Sequence, residues 1–369
     1  MKKVGHYYPE LDSLRFLAFL LVLIHHSPYM KSIAFWQTLS KFGWMGVDLF
    51  LCLSAFLFAR LLYVEHQEKG DINVGYFYLR RALRIWPLYF FFFAAMLTIS
   101  VQQDGWSSYT LKRSIGMLTF TDNIFAAFFN YNFAIWFTDH LWTISYEEQF
   151  YLIIPWVLRI FYRIKRMTTI LILAGVIFLG MLIRALFIYF QVDHPVIWVL
   201  PITHFEAIFG GLTIGLGLFE KILKKIPGLI LLSSGIFALY LVTRLPNINN
   251  IQWKLMLSYP LIGLGVTLIL SAVMRGNLWL LSSLFKNKTL GYLGKISYGL
   301  YVYHVGCIWL AQEFIKIYVS PERLLVYPLS VLLLALTITI LVSMLSYQFL
   351  EKPFLRLKER FTFIKSRPI

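Results

Sequence analysis

Apolar runs of about twenty residues recur along this chain from one end to the other, and no other feature restricts its fold as tightly. A helix of that length rises about 30 Å at 1.5 Å per residue, the thickness of a bilayer's hydrocarbon core. Inside hydrocarbon each backbone N–H and C=O must find its partner within the protein, and unbroken apolar runs satisfy that as helices. The runs lie near residues 13–29, 44–63, 86–101, 141–159, 168–190, 198–219, 228–245, 255–274, 296–318 and 326–350. The expected fold is all-α: a polytopic integral membrane bundle of about ten transmembrane helices. With 59% hydrophobic and 14% charged residues, no room is left for a sizeable water-soluble domain. One domain over residues 1–369, with no appended soluble domain, is expected.

The formal charge of +16, from 34 Lys and Arg against 18 Asp and Glu, would suggest nucleic acid in a soluble protein. Here the positive-inside bias accounts for it, and no nucleic-acid partner is expected. With the N-terminus in the cytoplasm, ten spans put 24 basic residues on the inner side and 8 on the outer, with Arg15 and Arg184 in or near spans. A miscounted span would mix the two groups, so span number and cytoplasmic termini support each other. Lys2 and Lys3 precede the first run without a small-residue cleavage site after it, which marks a retained span. Residues 114–137, rich in Phe, are expected to be external or re-entrant, because a full crossing would invert every later loop. Cys52 and Cys307 fall inside apolar runs without metal-ligand spacing, so they are packing residues and no metal is expected.

Ionisable groups in hydrocarbon cost about 2.5–3.5 kcal/mol each at a helix centre, so those inside the runs call for a reason. Arg15 and His26 are eleven steps apart in the first run, three turns or about 16 Å along a helix, and share one face. A lone intramembrane histidine is commonly a hydrogen-bond partner between helices; its pairing with an arginine points to chemistry. Arg81 and Arg84, at i and i+3 in Leu79–Tyr89, face one way. They read either as a positive-inside anchor or as a clamp for phosphates, which the guanidinium fork binds bidentately. At the start of the fourth run, Trp142, Ser145, Glu147 and Tyr151 offer a polar lining on one side of a helix.

These residues, taken together, make the sequence resemble the membrane-bound acyltransferase-3 family. Its arginine, ten residues, histidine signature matches Arg15 and His26, and its Gly-x-x-Gly-Val-Asp-x-Phe segment matches Gly43 to Phe50, continuing to Ser54-Ala55, where the family usually has glycine in place of Ala55. The arginine pair matches Arg81 and Arg84; the tryptophan, serine and glutamate pattern matches Trp142, Ser145 and Glu147. The late motif is similar to Ile296 to His304, and a closing Glu-x-Pro matches Glu351-Lys352-Pro353.

The resemblance implies an O-acyltransferase of the cell inner membrane. Its donor is a cytoplasmic acyl-CoA, acetyl-CoA being the expected one, with no tightly bound cofactor, and its acceptor is a hydroxyl of a surface glycan or glycolipid. Arg15, Arg81 and Arg84 are then the acyl-CoA ligands. His26 is the general base, acting directly or through an acyl-histidine, and Glu147 orients it or stabilises its protonated form. Ser297 and Tyr298 assist the oxyanion; Trp142, Ser145, Tyr151 and His304 line the cavity. Thr203-His204-Phe205-Glu206 is a further polar group in the sixth run. A carrier for a lipid-linked glycan would also place charges within a multispan bundle, but no inverted repeat is present. A non-catalytic subunit would tolerate replacement of Arg15 and His26.

Overall fold

The first helix, α1 (Pro9–His26), starts on a proline whose missing N–H is harmless in a first turn, with Glu10 and Asp12 at the positive end of the helix dipole. The computed structural model describes residues 7–28, 33–131, 134–275, 283 and 285–363. Lys2 and Lys3, the basic pair ahead of the first apolar run, lie outside them. After α1 come α2 (Ala34–Phe42), α3 (Gly46–Lys69), α4 (Val74–Asp104), α5 (Ser108–Leu118) and α6 (Asp122–Phe129). Then follow α7 (Trp142–Phe161), α8 (Arg166–Tyr189), α9 (Glu206–Gly215), α10 (Gly228–Val242) and α11 (Leu255–Met274). The last helices are α12 (Lys288–Lys295), α13 (Ser297–Lys316), α14 (Val326–Ser346) and α15 (Lys352–Glu359). No strand occurs among the described residues.

Among the described residues, five helical stretches are long and apolar enough to cross a membrane: Ala34–Lys69, Val74–Asp104, Arg166–Tyr189, Leu255–Met274 and Val326–Glu359. The most peripheral, α8, turns Leu171, Phe178, Leu182 and Leu186 outward. Such an exposed apolar face is stable against lipid and unstable against water. The centre of the molecule is built around α1, α3, α7, α9 and α13, which pack on one another.

Two close approaches set that centre. A Cβ on Gly43 or Gly46 would overlap the Leu21 or Ala18 carbonyl oxygen of α1, so the Gly-x-x-Gly spacing lets α1 lie directly on the start of α3. On the other side of α3, Ala55 is fully buried and the space it needs is released by its neighbour. A Cβ on Gly211 of α9 would overlap the Cys52 carbonyl oxygen and lie 3.0 Å from the Ala55 Cβ, so glycine at 211 lets α9 close on the face of α3 that carries Ala55.

The sixth apolar run does not fold as one continuous span. A short helix at Val196–Val199 gives way at Leu200, which is extended, to one 3-10 turn over Pro201–Thr203 before α9 begins at Glu206. Proline denies the helix an N–H there, and the freed carbonyls are taken by buried donors. Arg184 gives Nε and Nη2 to the Thr203 carbonyl at 3.1 and 2.7 Å, and the Tyr146 hydroxyl donates to the carbonyl of His204. Arg184 also pairs with Glu206 at 2.5 Å, and the His204 ring lies 2.6 Å from Asp48. The polar quartet at 203–206 thus fastens a helix break to α3, α7 and α8. The segment from 114 to 137 forms the end of α5 and all of α6, elements of 11 and 8 residues that are each too short to cross a bilayer, and its residues 132–133 lie outside the described set.

Candidate active site

Two cavities occupy the centre, at opposite ends of α1. The first, about 800 Å³, is lined by Arg15 of α1, Arg81 and Arg84 of α4, Glu147 and Tyr151 of α7, and Ser297 and Tyr298 of α13, among apolar neighbours from α3. The second, about 1110 Å³, is lined by His25 and His26 of α1, Asp139, His140 and Trp142 ahead of and at the start of α7, Trp198, and Tyr131, His194 and Asn247 from connecting segments. Val47, Thr143 and Tyr301 line both. The cavities are therefore separated by little more than those three side chains.

In the arginine cavity the charges are partly balanced. Arg15 pairs with Asp12 one turn earlier at 3.1 Å, and Glu147 accepts the Tyr151 hydroxyl at 2.7 Å. Arg81 lies against the Phe58 ring, its guanidinium carbon 4.8 Å from the centroid, and its buried Nε has no hydrogen-bond partner among the described residues. Three guanidinium groups against one carboxylate, Glu147, among the described lining residues leave the cavity ready for an anion.

In the histidine cavity, hydrogen bonds fix which nitrogen carries the proton. His304 is fully buried and its Nδ1 lies 2.6 Å from the Tyr301 carbonyl, which can only accept, so Nδ1 holds the hydrogen and Nε2 is bare. That bare Nε2 is 3.1 Å from His26 Nδ1, which also lies 3.0 Å from the Val22 carbonyl. Two acceptors facing one nitrogen require a hydrogen on it, so the neutral His26 ring is protonated at Nδ1 and carries its lone pair on Nε2. His26 is the exposed member of the cluster, and what it is exposed to is this cavity. His140, buried, gives Nε2–H to the Val302 carbonyl at 3.2 Å, and its ring is 4.6 Å from that of His304 and 6.4 Å from that of His26.

The wall between the cavities is held by a triangle of oxygens. The Thr143 and Tyr301 hydroxyls are 2.7 Å apart, and each is 3.0 Å from the His140 carbonyl. Three contacts share two hydroxyl hydrogens, so if Tyr301 turns its hydrogen elsewhere, Thr143 still satisfies the carbonyl.

The candidates taken from sequence are divided between the two sites. Arg15, Arg81, Arg84, Glu147, Tyr151, Ser297 and Tyr298 come together in the arginine cavity; His26 and Trp142 line the other, with His304 directly behind His26. Glu147 does not hold His26, whose ring is fixed by Val22 and His304. The Tyr298 hydroxyl donates to the Ile85 carbonyl at 2.8 Å, which ties it to α4 and away from the histidines. Ser145 lines neither cavity: it is fully buried and accepts the Asp122 backbone N–H at 3.3 Å. His140 and Tyr301 were not singled out in the sequence. Tyr298, Tyr301 and His304 recur every three residues and form one stripe on α13, a spacing that points to Tyr301. His140 precedes its helix and has no such signal.

A family model described as an acyltransferase domain, acyltransferase-3, matches residues 8–348. Among curated proteins, the chain is similar to the Staphylococcus aureus (strain COL) protein named "Putative O-acetyltransferase SACOL0978", 28% identical over 378 residues that cover 95% of this chain and 58% of the relative. It is also similar to O-acetyltransferase OatA of Staphylococcus aureus (strain NCTC 8325 / PS 47), 27% identical over 362 residues, covering 94% of this chain and 57% of the relative. The chain thus spans somewhat less than three fifths of the length of these relatives. No solved structure matches it.

Proposed function

The chain belongs to the acyltransferase-3 family, and from that premise we propose that it moves an acyl group, acetyl first among them, from cytoplasmic acyl-CoA to a hydroxyl of a surface glycan or glycolipid. The names of its relatives support O-acetylation. In this reading the protein crosses the cell inner membrane ten times, with both termini in the cytoplasm. The five long apolar helices are joined by α1, α7, α13, the interrupted α9 and α10, and the basic residues collect on one side.

The donor enters the arginine cavity with its phosphates on Arg81, Arg84 and Arg15, and its thioester reaches the wall at Thr143 and Tyr301. The acceptor occupies the histidine cavity. His26 Nε2 takes the proton of the acceptor hydroxyl as that oxygen attacks the thioester carbon. Negative charge gathers on the carbonyl oxygen, and the Tyr301 hydroxyl, free to leave its triangle, donates to it. The intermediate then collapses: the carbon–sulfur bond breaks, the ester stays on the acceptor, and the thiolate recovers the proton from His26. His304 keeps His26 in the tautomer that the first step needs.

The observation that carries this reading is the bare Nε2 of an exposed His26 in a cavity of its own, separated from three arginines by one layer of side chains. The test is His26→Ala in purified protein, following CoA release from acetyl-CoA and the added acetyl mass on surface glycans by mass spectrometry. The variant is expected to lose about 10²–10⁴-fold in turnover. Wild-type turnover in a folded variant removes His26 from the chemistry, and glycan movement without CoA release replaces transfer by transport.

A further inference from the structure

Where α1 begins, the arginine cavity continues into an outer lobe of about 520 Å³ that shares Arg15, Leu57, Arg81 and Arg84 with it. The outer lobe adds Tyr7, Tyr8 and Lys358, the last brought by α15 from the far end of the sequence. Asp12 is the one acidic group among its described lining residues, and that carboxylate is engaged by Arg15 at 3.1 Å and by the Tyr7 hydroxyl at 3.0 Å. An adjoining hollow of about 460 Å³ is lined by Arg80, Arg81, Lys358 and Thr362; its Glu65 is held by Arg80 at 2.9 Å. Arg81 and Lys358 stand where the two hollows meet, so basic charge extends beyond the inner cavity in two directions.

A ligand that suits this shape has one narrow arm for the inner cavity and a broader head with several separated anionic groups. The axial distance from Arg15 to His26, about 16 Å, is similar to the reach of an extended phosphopantetheine arm of ordinary bond lengths. We propose that the outer lobe seats the nucleotide end of the thioester carrier, with Lys358 and Arg84 holding the phosphate farthest from the thioester. The C-terminal helix α15 is then part of the donor site. Tyr8, half-buried and packed edge-on against Phe56 with ring centroids 5.8 Å apart, offers a fixed aromatic neighbour for the base. This assignment rests on the acyl-CoA reading above and deepens it.

The test compares the detergent-solubilised full chain with Lys358→Ala and Lys358→Arg on acetyl-CoA, acetyl-dephospho-CoA and acetyl-pantetheine. Loss of one charge-assisted contact at a half-buried site predicts an approximately tenfold higher KM for acetyl-CoA in Lys358→Ala. The KM for acetyl-pantetheine, which has no nucleotide, should stay within about twofold, a ratio too small to register as a lost contact. Lys358→Arg should restore the acetyl-CoA value. An equal rise for all three donors would mean that Lys358 acts through the packing of α15, and no rise for any would remove it from the site; either overturns the proposal. Calorimetric binding of CoA and dephospho-CoA requires no turnover and separates the two readings. A Lys358→Ala protein that binds CoA more weakly but dephospho-CoA as tightly as wild type does supports the subsite even if transfer fails in every variant, and an equal loss for both ligands, or none for either, overturns it.

Discussion

Replacing Tyr301 by phenylalanine removes one oxygen from the wall between the cavities and divides two roles of that residue. As a structural group, the hydroxyl belongs to a triangle with Thr143 and the His140 carbonyl in which the Thr143 hydrogen alone is enough to satisfy the carbonyl. Its loss should therefore cost one ordinary buried hydrogen bond, about 0.5–1.5 kcal/mol of stability. As a donor to the oxyanion, it should contribute about 2.7–4 kcal/mol to the transition state, a drop of 10²–10³-fold in turnover. The KM for acetyl-CoA should hardly move, since the arginines proposed to bind the donor are untouched. Thr143→Val is the partner experiment: it disturbs the same triangle while Tyr301 keeps its hydrogen, and turnover should fall by less than about tenfold. Turnover is read as CoA release, stability as Tm of the purified protein. The reasoning fails if Tyr301→Phe stays within about threefold of wild type, or if Thr143→Val lowers turnover as far as Tyr301→Phe does.

Arg184→Met should lower stability by about 3–5 kcal/mol, because Glu206 is left buried and unpaired, and adding Glu206→Leu should recover most of it; Tm of the three variants checks this. In the segment after α8, burial pushes the His194 imidazole down to about 4 from its ordinary 6.5. The unfolded chain binds a proton there below pH 6.5 and the folded one does not until near 4, so Tm should fall as pH drops through that window, and His194→Gln should flatten the fall.

The helical class and the long spans were legible because hydrocarbon demands length and apolarity, and both are read residue by residue. The candidate site was legible where helical spacing encodes a face: Arg15 with His26 and Arg81 with Arg84 lie where i and i+3 or i+11 place them. What that spacing does not encode is depth and partner. Glu147 lies beside the arginines because α7 starts only at Trp142, so its second turn faces the first cavity and its first residue the other. The break at 200–205 was legible only in part: Pro201 and the polar group from Thr203 to Glu206 mark the place within an otherwise apolar run. The interruption itself is stabilised by Arg184 and Tyr146, which come from other helices. Lys358 reaches the outer lobe through the chain's return at α15, which no local pattern announces.

The thinness of the wall formed by Val47, Thr143 and Tyr301 has an electrical consequence. Two water-accessible hollows meeting end to end would short-circuit a membrane that stores about 2.3 kcal/mol per elementary charge for every 100 mV. A valine side chain and a closed pair of hydroxyls would then act as a plug that leaves ions no hydration shell, whereas the uncharged acetyl group of the proposed donor needs none. In the proposed reaction the same layer passes one small acyl group at a time and keeps the cell's battery from draining through the protein.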